Sequence, residues 1–244
     1  MRRQSNFDLI PSVLSLAELP SHVAFIMDGN GRWAKAQGKP RTYGHEHGEK
    51  ALYDVIYGAL DLGIEWVTVY AFSTENWKRS ITEVSFLMNF NQSMLLKHRD
   101  ELNEAGVRIR VMGLEDSRIP RRVVKDIREA EKLTENNTRL NFNIAFNYGG
   151  RADIVSACKS IIDSGIDSKK LNEDVFAKHL LMPEMPNVDL MVRSSGEKRL
   201  SNFLLWQCAY SEFIFREEFW PEFNRELFFD CLIDYQTRLR RYGS

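Results

Sequence analysis

"HVAFIMDGNGRWAKAQGKPR", residues 22–41, opens as an apolar run and breaks at Met27-Asp28-Gly29-Asn30-Gly31-Arg32-Trp33. Whether that break is a hairpin turn or a loop that holds something charged decides the fold. A hairpin built on Asp-Gly needs a second strand directly after the turn. The residues from Arg32 onward, "RWAKAQGKPRTYGHEHG", show no period-two alternation and carry Gly38 and Pro40, which suit the interior of a strand poorly. The hairpin therefore loses ground. A calcium loop fails as well, because "DGNGRWAKAQGK" lacks acidic residues at alternate positions and a closing glutamate.

The pattern of apolar strand followed by polar loop recurs along the chain. Residues 23–27 run into "DGNGRWAK", 66–72 ("WVTVYAF") into "STENWKRS", and 107–112 ("VRIRVM") read as a third strand. "LNFNIAF" from Leu140 runs into "NYGGRAD", and "VDLMV" from Val188 into "RSSGEKRLSN". Between these lie segments of helical period. Ala51, Leu52, Val55, Ile56, Ala59 and Leu60 form one apolar face; Val124, Ile127, Ala130 and Leu133 a weaker one; Ile154, Ala157, Cys158 and Ile161 a third. Strands alternating with helices predict an α/β fold, a single domain whose central, mostly parallel sheet is flanked by helices. Loops after the strand C-termini then share one sheet edge, where open α/β folds bind ligands.

Composition narrows the function. The 244 residues contain 43% hydrophobic side chains, ample for one core, and no linker, repeat or compositional shift marks a boundary. A net charge of -1 gives no general attraction to nucleic acid, so anion binding must come from local clusters of basic residues. Cys158, Cys208 and Cys231 are odd in number and lack metal-ligand spacing, which points to a reducing compartment and three buried thiols. The start, "MRRQSNFDLIPSVLSLAELP", is broken by Pro11 and Glu18 and matches neither a signal peptide nor a membrane span. Residues 1–20 read as an N-terminal extension to a domain at 21–244, in a cytoplasmic protein of enzyme size.

The loops carry the chemistry. Gly29 and Gly31 let the backbone approach a ligand, and Arg32 and Arg41 suit phosphate oxygens. Asp28 is an odd neighbour for an anion unless a divalent metal lies between them, so the combination suggests a metal-diphosphate site. Taken alone, Asp-Gly after a strand reads more simply as a turn. Other loops repeat the pattern: "NWKR" ends in Arg79, "NYGGR" in Arg151, and "RSSGEKRLS" holds Arg193, Arg199 and three serine hydroxyls. Apolar residues are also plentiful. Val84, Leu87, Phe90, Met94 and Leu95 recur at helical spacing within 81–102, and "SNFLLWQCAYSEFIF" is rich in large side chains. Ordinary core and a wall for a long apolar ligand are both open readings.

Five blocks, "HVAFIMDGNGRWAKAQG", "GHEHGEKAL", "AFSTENWKR", "FNYGGRADI" and "DLMVRSSGEKRLSNFLLWQCAYSEFIF" with "FWPEF", resemble in order the signatures of the cis-prenyltransferases, the undecaprenyl diphosphate synthase family. "STENWKRSITEVSFLMNFN" and the ending "RRYG" are most similar to its actinobacterial long-chain members. The resemblance implies an α/β fold with an apolar tunnel. It also implies an enzyme that extends an allylic diphosphate, such as farnesyl diphosphate, with isopentenyl diphosphate, each addition creating a Z double bond.

By that resemblance Asp28 binds Mg2+ and Glu212 helps place it. Gly29, Asn30, Gly31, Arg32, Arg41 and His45 hold the allylic diphosphate, with Trp33 against its prenyl part. Arg193, Arg199, Leu200 and Ser201 hold the isopentenyl diphosphate. Ser73, Thr74, Glu75, Asn76, Trp77 and Arg79 form a mobile loop in which Asn76 is a proposed proton acceptor. The family also implies a homodimer, a product that serves as carrier lipid in cell-wall synthesis, and peripheral contact with the inner face of the plasma membrane for product release. Without the resemblance, His45 reads as a helix cap, Glu212 as a surface carboxylate beside Arg216, and Trp77 as core. With it, His45 and Glu212 read as functional, and Trp77 stays open. A short-chain or irregular Z-prenyl diphosphate synthase is the alternative product class. A non-catalytic partner subunit is the alternative role, although such proteins lose the first aspartate and its loop, which are intact here.

Overall fold

The computed structural model describes residues 10–238. Strand β1 (His22–Ile26) is buried along its whole length. It is joined by β2 (Trp66–Ser73), β3 (Val107–Met112), β4 (Leu140–Tyr148), β5 (Leu190–Arg193) and β6 (Glu212–Phe215). These form one sheet in the order β3-β4-β2-β1-β5-β6, and every neighbouring pair is parallel. A parallel sheet is covered on both faces, which is why β1 and β4 are buried almost from end to end.

The two faces separate by alternation along each strand. Val23 and Phe25 of β1 point into the larger core. That core is built with α2 (Arg41–Leu62), α3 (Ile81–Glu104), α4 (Arg121–Leu133) and α7 (Arg225–Thr237). Ala24 and Ile26 point the other way, into a smaller cluster with Met182, Met185, Phe203 and Leu204, near α5 (Gly150–Asp163) and the short α6 (Glu173–Ala177).

Several details differ from the sequence reading. "NGRWAKA" is not loop but a helix, α1 (Asn30–Ala36), entered through Gly29 at φ +97°. Strand β6 lies inside a stretch that periodicity left unassigned. In α4 the buried positions are Val123 and Ala130, while Leu133 is 45% exposed, because the helix covers only the sheet edge and buries a narrow stripe. Cys158 is exposed, so only Cys208 and Cys231 are buried thiols. Phe228, Leu232 and Tyr235 of α7 are buried; Leu239 and "RRYG" lie outside the described residues. The same is true of residues 1–9 of the N-terminal stretch. From Ile10 that stretch packs on the domain, with Leu14 in the main core and Ser15 hydrogen-bonded to Gln236. No helix among the described residues is long and apolar enough to cross a membrane.

Topology singles out one crevice. From β1 the chain moves to β2 on one side, and from β5 to β6 on the other. The C-terminal ends of β1 and β5 therefore flank the switch point, the preferred ligand position in such sheets.

Candidate active site

Asp28 follows β1 at that switch point. Its Oδ2 accepts from Arg193 Nη2 at 2.8 Å and its Oδ1 from the Gly29 amide at 2.6 Å, with Arg32 Nη2 3.4 Å away. Burial works to raise its pKa, but the hydrogen bonds from Arg193 and Gly29 and the two guanidinium charges outweigh it and hold the carboxyl below the usual carboxylate range. The backbone is pinned too. Ser194 Oγ accepts from Asp28 N at 3.0 Å and donates to Asp28 O at 2.7 Å, and Trp220 N donates to Asp28 O at 3.0 Å.

Gly29 is required by shape as well as by φ: a Cβ there would meet Phe219 Cδ1 at 2.5 Å and Ser195 Cβ at 2.9 Å. The first turn of α1 follows. Arg32 donates to Ser195 Oγ at 2.5 Å and to Glu197 at 3.2 Å. Gly31 leaves room for Arg41, whose Nε would lie 2.9 Å from a Cβ at that position. Asn30 donates to Met27 O, and its Oδ1 is buried without a partner among the described residues. Trp33 stacks on Tyr43 at 5.7 Å and touches His47, so it braces α1 on α2.

Arg193 is 3% exposed and closes β5. One arm binds Asp28; the other donates to Ser201 Oγ at 2.8 Å and to the Arg199 carbonyl. Arg199 itself is largely exposed and, among the described residues, paired only to Glu197. Leu200 packs on the smaller core.

A second group of arginines faces α3. Arg41 and Arg79 both pair with Glu83, at 3.3 and 2.8 Å. His45, one turn into α2, lies between these charges and the rings of Phe86 and Phe90. Burial, then Arg41 and Arg79, push its pKa down to about 4, so the ring is neutral at neutral pH. It is internal to α2 and caps nothing. Behind it lies a cavity of about 70 Å³ lined by Met27, Asn30, Leu52, Leu87, Phe90 and Met94, among others.

The turn after β2 is tied down from three sides. Asn76 Oδ1 accepts from Ser73 N at 3.1 Å, Glu75 Oε1 accepts from Asn202 Nδ2 at 2.7 Å, and Trp77 Nε1 donates to Asn147 Oδ1 at 2.7 Å. Trp77 packs edge-on to Phe72 beneath the Arg118 guanidinium, which makes it a structural residue of the turn. Thr74 lies against Gly149.

Glu212 is not brought to Asp28. It opens β6, paired in register with Leu190, whereas Arg193 at the far end of β5 pairs with Phe215. Its carboxylate meets Arg238 at 3.1 Å, and Arg216 pairs with Glu218 instead. Within the chain it sits at the strand-start edge, away from Asp28. No cluster of three or more His, Cys, Asp or Glu side chains that could hold a metal occurs among the described residues. The Asp28 carboxylate alone is a hard oxygen donor of the kind that magnesium would take.

Sequence reasoning missed Glu83, Asn202 and Asn147, which hold the named residues in place. Asn147 and Asn202 stand at positive φ, a strain that no local motif announces.

A family model described as "Putative undecaprenyl diphosphate synthase" matches residues 26–243. A trans,polycis-polyprenyl diphosphate synthase ((2Z,6E)-farnesyl diphosphate specific) of Thermobifida fusca is 48% identical over 238 residues, covering 96% of this chain and 84% of that protein. A decaprenyl diphosphate synthase of Mycobacterium leprae is 46% identical over 235 residues, covering 95% and 79%. The crystal structure of lavandulyl diphosphate synthase from Lavandula x intermedia, in complex with dimethylallyl diphosphate, is 35% identical. It superposes with a TM-score of 0.88 over 93% of this chain and 99% of that one.

Proposed function

The chain belongs to the undecaprenyl diphosphate synthase family, and we propose on that footing that it condenses isopentenyl diphosphate with an allylic prenyl diphosphate such as farnesyl diphosphate. Each addition is in Z configuration, and the product is a long-chain polyprenyl diphosphate of undecaprenyl or decaprenyl type. The observation that carries this reading is Asp28 held between Arg32 and Arg193 at the switch point.

Arg32, Arg41 and the amides of Gly29, Asn30 and Gly31 bind the allylic diphosphate, and neutral His45 donates a hydrogen bond without adding charge. Arg193, Arg199 and Ser201 bind the isopentenyl diphosphate beside it. Arg79 reaches the site from the turn after β2. Asp28 is the residue that holds Mg2+, which when bound neutralises the diphosphate and helps it leave. Loss of that leaving group builds negative charge on its oxygens, and preset guanidiniums stabilise charge that develops in the transition state. Asn76 is better suited to holding the turn than to accepting a proton, since an amide is a weak base and its oxygen already accepts from Ser73 N. The growing chain enters the cavity behind His45. At about 70 Å³ the cavity is narrow, so α2 and α3 must part to admit a long chain. That narrowness is what favours the second reading, a short-chain product.

The protein works as a homodimer through its β6 edge, where Phe213 and Phe215 stack on a short outer strand. It supplies a carrier lipid for cell-wall sugars at the inner face of the plasma membrane. Incubation with Mg2+, labelled isopentenyl diphosphate and allylic primers of graded length, followed by chromatography, tests the reaction. A ladder ending in long Z-polyprenyl products is expected. A single condensation establishes the short-chain reading, and no product in any combination removes the enzyme assignment.

A further inference from the structure

Helix α4 takes no part in the site. It lies against α3 and β3 at the opposite edge of the sheet from β6, and buries Val123 and Ala130. Its outer face is basic. Arg121, Lys125, Arg128 and Lys132 are all exposed, and their spacing sets them in one stripe along the helix. The acidic residues of α4 mostly turn inward: Asp126 accepts from Gln92, and Glu131 accepts from Val111 N at 3.0 Å. The exposed positions of α4 thus set Arg121, Arg122, Lys125, Arg128 and Lys132 against Glu129, with Lys125 paired to Glu129 and Lys132 to Glu135 just beyond the helix. Arg121 and Arg128 have no ion pair among the described residues. Val124 and Leu133, the latter 45% exposed, lie within the same shallow depression of about 720 Å³. In a chain of net charge -1, this is a local segregation of positive charge.

We propose that the outer face of α4 docks on a bilayer surface bearing anionic phospholipid headgroups. The charge is complementary to such a surface, and long Lys and Arg stems reach headgroups while their apolar lengths cover Val124 and Leu133. Position favours the same partner. Helix α4 packs on α3, and Leu87, Phe90 and Met94 of α3 line the apolar cavity. Docking would set the cavity wall beside the hydrocarbon into which a long prenyl chain partitions, a purpose that rests on the long-chain reading above; the charge pattern does not depend on it.

The test uses the full chain and co-sedimentation with vesicles of phosphatidylcholine, with or without phosphatidylglycerol. Each exposed cation near an anionic surface strengthens binding roughly fivefold. Replacing Arg121, Lys125, Arg128 and Lys132 together by Gln should weaken binding by roughly several hundredfold, and the pair Arg121→Gln and Arg128→Gln by roughly 25-fold. A control replacing exposed Lys159, Lys169, Lys170 and Lys178 by Gln removes the same charge elsewhere and should bind as the wild type does. Circular dichroism checks each fold, and the double variant serves if the quadruple one does not fold. Equal binding to neutral vesicles, equal loss in the control, full retention by the α4 variants, or capture by nucleic acid or an acidic protein in place of vesicles would overturn the proposal. Prenyl transfer assayed in detergent separates the two readings. Product without vesicle binding removes the docking alone, whereas α4-dependent vesicle binding without product supports the docking and removes the enzyme reading.

Discussion

Arg193 Nη2 lies 2.8 Å from Asp28 Oδ2 and ties the end of β5 to the end of β1 across the switch point. Arg193 is nearly fully buried, and its second arm reaches Ser201. Without substrate, each of the two groups satisfies the other's charge. A diphosphate arriving between Arg32 and Arg193 would compete for the same guanidiniums and release the Asp28 carboxylate from its partner.

Asp28→Asn should lower kcat by about a thousandfold, because the amide keeps the shape and loses the charge that a metal needs. Stability should fall by about 1–3 kcal/mol, since Arg193 is left with a weaker partner. EDTA should abolish wild-type turnover, and added Mg2+ should restore the wild type but not the variant. Steady-state kinetics and a thermal melt check both effects; turnover unaffected by EDTA contradicts the metal role.

Arg199 and Arg193 should behave differently when truncated, because they are buried differently. Arg199→Ala removes a largely exposed side chain paired to Glu197, so the isopentenyl diphosphate KM should rise about tenfold with the melting temperature unchanged. Arg193→Ala removes a buried side chain that bridges two strands and should also cost about 3 kcal/mol of stability. An unchanged KM in Arg199→Ala moves the second diphosphate elsewhere.

Gly44→Ala tests how α1 is seated. A Cβ at Gly44 would stand 1.9 Å from the Asn30 carbonyl oxygen, a backbone atom that no rotamer change can withdraw. The helices must separate, and α1 carries Asn30, Gly31 and Arg32. A loss of about 1–3 kcal/mol and a raised KM for the allylic substrate are expected. Normal stability and kinetics would show that α1 can shift without disturbing the diphosphate loop.

The strands β1 to β5 were legible because each is a short stretch of continuous or alternating apolar residues that stops at a polar loop, and a parallel sheet places those stops on one edge. That rule set Asp28, Arg32, Arg79 and Arg193 at one edge, and the family resemblance supplied the roles expected of them. Strand β6 was not legible. The residues before it carry Ser201, Asn202 and Leu204 at positive φ, so "SNFLLWQCAY" folds as turns around buried Phe203, Leu204, Gln207 and Cys208 that no periodicity describes. The position of Glu212 was hidden for the same reason: its strand end could not be known before its strand was. Glu83 and Asn202 act on residues distant in sequence, Arg41 and Glu75. Such pairings exist only once the chain has folded.

His22 gives the fold a measurable response to acid. Its Nδ1 lies 3.0 Å from the Pro186 carbonyl, which can only accept, so Nδ1 carries the proton and Nε2 accepts from the Thr68 hydroxyl at 2.7 Å. Burial pushes its pKa down to about 4 from 6.5. As pH falls through 6.5 the unfolded chain takes up the proton first, so stability falls between 6.5 and about 4 and this contribution levels off below that. The loss amounts to about 3 kcal/mol at most. Chemical denaturation across that window should show a fall in the wild type that is shallower in His22→Asn by about that amount, with the part due to His45 remaining. An unchanged slope in the variant would mean that His22 titrates normally in the folded chain.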